Sequence, residues 1–97
     1  MKLESDFQSK LKEEIKERFP GAIVLKNDPG LNVGFPDLTV LYKDKWACLE
    51  CKKSKDAHRG YSQIRKVEAL NKMSYASVIY PENKEEVLNE MEQAFGV

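Results

Sequence analysis

GFPDLTVLYKDKWACLECKK, residues Gly34 to Lys53, holds two apolar runs, LTVLY (38 to 42) and WACLEC (46 to 51), on either side of Lys43-Asp44-Lys45. Short runs rich in β-branched and aromatic residues, broken by a small polar segment, predict a hairpin of two mostly buried strands. The register of that hairpin decides what its charged ends can do. With an even loop, for instance Lys43-Asp44, facing residues sum to an odd number, Asp37 stands opposite Glu50, and Asp37, Glu50 and Lys52 share one face. With a three-residue loop Asp37 would face Cys51 and point away from Glu50. The even loop, or a bulge equivalent to it, is the expected arrangement.

Upstream, NDPGLNVGFP (27 to 36) carries two prolines and two glycines and reads as a shaped loop, with no phosphate-binding glycine motif. AIVLK (22 to 26) before it is a short β-rich run. Earlier still, Phe7, Leu11, Ile15 and Phe19 recur every four residues, one stripe of a helix. Ser5 with Gln8 three residues on forms a capping box, so the helix is expected from Asp6 to Phe19, stopped by Pro20-Gly21. Downstream, the basic turn KKSKDAHRG leads to Ile64, Val67 and Leu70 at helical spacing. SYASVIY (74 to 80) is another β-rich run ended by Pro81. Asn83 then caps a last helix, with Glu86 completing its box and Val87, Leu88, Met91 and Phe95 forming its apolar side. The order αβββαβα, with a right-handed parallel crossover from the third strand to the fourth, predicts an α/β fold with a mixed, helix-covered sheet.

At 97 residues the chain forms one domain, residues 1–97, able to bury roughly 60 to 65 per cent of its unfolded surface. Hydrophobic residues at 41% and charged residues at 33% exclude a disordered or fibrous chain. No apolar run approaches the roughly 18 residues of a membrane span, and MKLESDFQSK lacks the apolar core of a signal peptide, so a cytoplasmic location is the default. Sixteen basic residues cancel sixteen acidic ones, so any contact with a polyanion must come from a local patch. Lys53, Lys55, Arg59, Arg65 and Lys66 form one candidate patch at the edge of the second helix; a solvated charged face is the alternative. His58 sits in the same polar turn and is expected to face solvent. Cys48 and Cys51 form a CxxC, but on a strand they point to opposite faces. They are therefore read as small apolar fillers rather than as a zinc or redox pair.

Facing carboxylates need a reason. Two of them about 4 Å apart repel by roughly 4 kcal/mol at an effective dielectric of 20, a large fraction of the stability of a small domain. A divalent cation removes that penalty: Mg²⁺ takes a few carboxylate oxygens, keeps several waters and leaves positions for phosphate oxygens. It also lowers the pKa of a bound water. Lys52, two residues beyond Glu50 on the same strand face, can point an ammonium at an attacking water or a phosphate. General-base work would require its pKa to fall far below about 10.4, whereas stabilising charge would not, and the electrostatic role is favoured.

Pro36-Asp37, a twelve-residue gap and Glu50-Cys51-Lys52 resemble the PD-(D/E)XK nuclease signature. With Gly34 before it, a helix beginning ESDFQ and a later helix carrying Gln63, nearly the whole chain is similar to the stand-alone VRR-NUC nucleases of phages and bacteria. The resemblance implies a restriction-endonuclease-like αβββαβ core and Mg²⁺- or Mn²⁺-dependent hydrolysis of phosphodiester bonds in DNA, with members acting on flaps or four-way (Holliday) junctions. It implies a homodimer, with neither an organic cofactor nor a membrane partner. Asp37 and Glu50 become metal ligands, joined by the Cys51 backbone carbonyl, and Lys52 becomes the catalytic lysine. The first-helix glutamate of the family maps onto Glu4 or, as the rival, Glu14. Gln63 matches the second-helix glutamine that borders the site. A nuclease-fold subunit that binds DNA without turnover is the competing expectation.

Overall fold

The computed structural model describes residues 4–28, 30–31, 33–57 and 61–97, with the backbone alone at residues 4 and 61. His58, Arg59 and the side chain of Glu4 lie outside the described residues. The elements run α1 (Glu4–Arg18), β1 (Ile23–Lys26), β2 (Leu38–Tyr42), β3 (Lys45–Cys51), α2 (Tyr61–Met73), β4 (Tyr75–Ile79) and α3 (Lys84–Phe95). They form a small α/β fold around one mixed sheet of order β1-β2-β3-β4, antiparallel except between β3 and β4. The parallel pair follows from the α2 crossover, since a hairpin cannot return a strand in the same direction.

Leu11, Ile15 and Phe19 of α1 and Val87, Leu88, Met91 and Phe95 of α3 bury one sheet face through Val40, Leu49, Cys51 and Ile79. Phe19 meets Tyr42 and Phe95 edge-on, with ring centroids 5.5 and 5.2 Å apart, a geometry that adds about 0.5–1.5 kcal/mol per pair beyond area burial. Arg18 clips the two helices together: its Nε donates to Glu92 at 2.8 Å and its Nη2 to Asn89 at 2.6 Å. Among the described residues the other face is covered by α2, through Val67 and Leu70 on Cys48 and Ala76, with Phe35 and Trp46 at the margin. That cover does not reach the outer strands. Ile23 is 55 % exposed, Leu25 46 % and Leu41 38 %. Ile23 pairs with Leu41, and Leu25 with Thr39, on that same side.

The hairpin closes through the two-residue loop Lys43-Asp44, with Tyr42 opposite Lys45. Lys43 takes φ 57°, a left-handed conformation at the first loop position that suits the twist of the paired strands. Gly34 also has positive φ, and a Cβ there would lie 3.3 Å from the Ser62 side chain. Glycine at this point lets the loop before β2 press against the first turn of α2.

Two expected helix starts differ. Helix α1 begins at Glu4, so Ser5 lies inside it rather than at the cap, its carbonyl accepting from Ser9 Oγ at 3.1 Å, and the Ser5–Gln8 box does not form. Asn83 occupies the N-cap position of α3 but makes no side-chain cap bond. Its Oδ1 instead accepts from the Tyr80 N–H at 2.8 Å and its Nδ2 donates to the Val78 carbonyl at 3.1 Å. These bonds satisfy backbone groups at the exit of β4 that the sheet leaves open. Among the described residues no helix is long and apolar enough to cross a membrane.

Candidate active site

The ladder ends with Leu38 opposite Leu49, and Asp37 precedes β2 in a bend, next to the end of β3 that carries Glu50. Leu38, Leu49 and Cys51 belong to the α1–α3 core. Strand alternation therefore turns Glu50 toward the α2 side, where Lys52 lines a cleft with Ile64 of α2. Asp37 is held at both ends: its carboxylate Oδ2 accepts the Cys51 N–H at 2.8 Å, and its carbonyl accepts the Asn27 N–H at 2.8 Å.

Asn27 is a positioning residue that the sequence did not reveal. Its Nδ2 donates to the Pro36 carbonyl and to Thr39 Oγ1, both at 2.9 Å, so one amide at the end of β1 pins the segment on either side of Asp37. The only signal was its type and place, since an Asn opening a loop has two donors to offer.

Glu50 is 2 % exposed. A buried carboxylate costs several kcal/mol unless charge or hydrogen bonds compensate it. Toward β4 the parallel ladder places Val78 beside it, an apolar neighbour that adds no charge.

Lys52 continues the edge of β3, its N–H bonded to the Ile79 carbonyl at 2.9 Å. Its ammonium donates to the Lys55 carbonyl at 3.1 Å and lies 5.1 Å from the centre of the Tyr80 ring. Lys52 and Tyr80 line an open cleft of about 610 Å³ that also takes in Ile64 and Asp56. Ile64, expected as a core position of α2, is 41 % exposed and forms the wall of this cleft.

The remaining candidates separate. Gln63 is half-buried in the first turn of α2. Glu14 accepts from Lys84 Nζ at 2.7 Å, an ion pair that ties α1 to α3. Glu4 is the first residue of α1, with its side chain outside the described residues. Lys53, Lys55, Arg65 and Lys66 are exposed, the last two beside a shallow depression of about 400 Å³ on α2. Cys48 packs on the α2 side and Cys51 on the α1–α3 side, both buried and neither in a disulfide. They cannot converge on one ion while β3 persists. Burial pushes the Cys48 thiol up, against a smaller opposite pull from Thr39 Oγ1, 3.7 Å from its sulfur.

Among the described residues no group of three or more His, Cys, Asp or Glu side chains could hold a metal ion. Asp37, Glu50 and the Cys51 carbonyl are the donors that the hairpin offers. Such a set fits Mg²⁺ or Mn²⁺, hard cations that accept one or two carboxylates and fill the rest of the shell with water and phosphate oxygen. It does not fit a zinc site of nitrogen and sulfur ligands. No protein-family model, no curated protein and no solved structure matches the chain.

Proposed function

We propose that the chain is a metal-dependent endodeoxyribonuclease with a PD-(D/E)XK core of VRR-NUC type. It hydrolyses phosphodiester bonds in branched or structured DNA, such as flaps and four-way junctions. One observation carries the reading: the Asp37 carboxylate is bonded to the backbone N–H of Cys51, the residue between the buried Glu50 and Lys52, so the motif's aspartate is tied to the strand that carries its glutamate and lysine. Packing gives no reason for two acids so placed, whereas a divalent cation and a phosphate do.

Asp37 and Glu50 hold Mg²⁺ or Mn²⁺, with the Cys51 carbonyl beside them and Glu4 as the acid that α1 can add. When bound, the ion supplies a lowered water pKa and neutralises charge on the phosphate. The Cys51 N–H and Asn27 hold Asp37 in place, so its carboxylate need not reorganise during reaction. Lys52 stabilises the charge that grows on the phosphate, and Gln63 borders the site. Lys53, Lys55, Arg65 and Lys66, with Arg59, bind the sugar-phosphate backbone.

A near-neutral single domain neutralises few phosphates, and sequence-independent affinity scales with that number. Two linked sites recover affinity through effective concentration, and the working form is a homodimer. The uncovered Ile23, Leu25 and Leu41 provide apolar surface for it. The enzyme acts in a bacterial or phage-infected cytoplasm.

Purified protein is to be tested with Mg²⁺ or Mn²⁺ on plasmid, single strand, flap and four-way junction, with Lys52→Ala as control. Cleavage by the wild type and none by the variant is the expected result. Binding of branched DNA with no cleavage of any substrate would sink the nuclease and leave the competing reading, a DNA-binding subunit without turnover. The engagement of the Lys52 ammonium by the Lys55 carbonyl and Tyr80 is the observation that favours that alternative.

A further inference from the structure

The cleft beside Lys52 lies where the parallel strands β3 and β4 end, a place where α/β sheets commonly take ligands. Its size falls in the range of small-molecule sites. Its walls combine an aromatic ring (Tyr80), aliphatic groups (Ile64 and Val78), a cation (Lys52) and a carboxylate (Asp56). Both groups of the Asn83 amide are already bonded to backbone, so Asn83 shapes the wall. An isolated phosphate is a poor match, because the Asp56 carboxylate repels it and the apolar wall gives it no partner. A nucleotide matches every part: a π-face for Tyr80, an apolar edge for Ile64 and Val78, a base N–H for Asp56 and a phosphate for Lys52.

We infer that this cleft receives one unpaired nucleotide of a DNA strand, stacked on Tyr80. The inference rests on the nucleic-acid reading above and adds a specificity element to it. The ring now carries the Lys52 ammonium 5.1 Å from its centre, the same surface a base would cover. Entry of the base displaces the ammonium from the ring and frees it for the phosphate beside Glu50. A duplex offers no unstacked base, so the cleft selects single-stranded or branched DNA.

The test uses the intact protein without divalent metal, so that the DNA is not cut. Fluorescence anisotropy compares a labelled thymidine strand of roughly 12 nucleotides with an abasic sugar-phosphate strand of equal length. The wild type should bind the thymidine strand about tenfold tighter, the order expected of one stacked base. Tyr80→Leu should erase that preference, and Tyr80→Phe should keep it. A measurement independent of any variant is the NMR shift of the Ile64 methyl groups, expected with the thymidine strand and absent with the abasic one. Equal affinity of the wild type for both strands, failure to bind either, or a preference that survives Tyr80→Leu in a protein of native melting temperature would overturn the inference. Metal-dependent cleavage without base preference sinks the cleft and spares the nuclease; base preference without cleavage does the reverse.

Discussion

On the α1–α3 side of the sheet one apolar cluster runs from Leu11 to Phe95, ring on ring and clipped by Arg18, whereas on the α2 side a smaller cluster lies beside an acidic pair and a lysine. The same strands build both faces. Alternate residues of β3 show the division: Ala47, Leu49 and Cys51 serve the first, Cys48 and Glu50 the second. A domain this small has a modest stability margin, and concentrating apolar burial on one face lets the other hold groups that packing alone would reject. The uncovered Ile23, Leu25 and Leu41 belong to that same second face.

The sharpest way to break this contrast is to empty each cluster in turn. Phe19→Ala should cost about 3–5 kcal/mol in denaturant unfolding, and Leu70→Ala nearer 2 kcal/mol, the low end for a leucine whose site can relax. Equal losses would mean that the faces share the load. Lys52→Ala should lower cleavage about 10²- to 10³-fold, as removal of a charge-stabilising group does, while moving stability by less than about 0.5 kcal/mol. A large stability loss there would make Lys52 part of the scaffold. Mn²⁺ at about one hundred times its dissociation constant should add about 2.7 kcal/mol to stability, read as a rise in melting temperature. Glu50→Gln should abolish that rise, and a rise that persisted would place the ion elsewhere.

The smallest effect is on pH. Burial, with a hydrogen bond between its hydroxyl and Glu90 at 2.6 Å, raises the Tyr75 phenol, and burial raises the Cys48 thiol. Each group is harder to ionise in the folded protein, so its contribution is complete below its ordinary value and declines as pH rises past it. Those ordinary values are 9.0 for the thiol and 10.0 for the phenol. Melting temperature should therefore fall as pH passes 9 and fall further past 10. Tyr75→Phe should remove the later part, and an unchanged curve in that variant would assign the decline to other groups.

Much of this was legible in the chain. Two apolar runs around a short polar segment placed β2 to the residue and predicted the two-residue loop, hence the β2–β3 register. The intervals of α1 and α3 identified their buried faces because each helix shows a single stripe to a single layer. Polar side chains were harder to place, since one amide can cap a helix, tie a strand or pin a loop, and only the fold decides which. Asn83 ties β4, and Asn27 pins the approach to Asp37. Ile64 kept helical spacing yet lines a cleft, because α2 reaches beyond the part of the sheet that could bury it. The neighbours of Lys52 were equally hidden: Tyr80 arrives from the far side of the parallel crossover.

The Lys43-Asp44 loop also has a kinetic consequence. Asp37 and Glu50 are brought together by closing one hairpin, an event on the scale of about 1–10 μs, whereas Tyr80 reaches Lys52 only after the slower, non-local pairing of β4. The two acids of the proposed site are therefore brought near each other early in folding, and a divalent cation held there as proposed should act on the climb to the transition state. In stopped-flow refolding Mg²⁺ should steepen the approach to the native state while leaving the unfolding rate nearly unchanged. The opposite pattern would show that the acids meet only after the rate-limiting step.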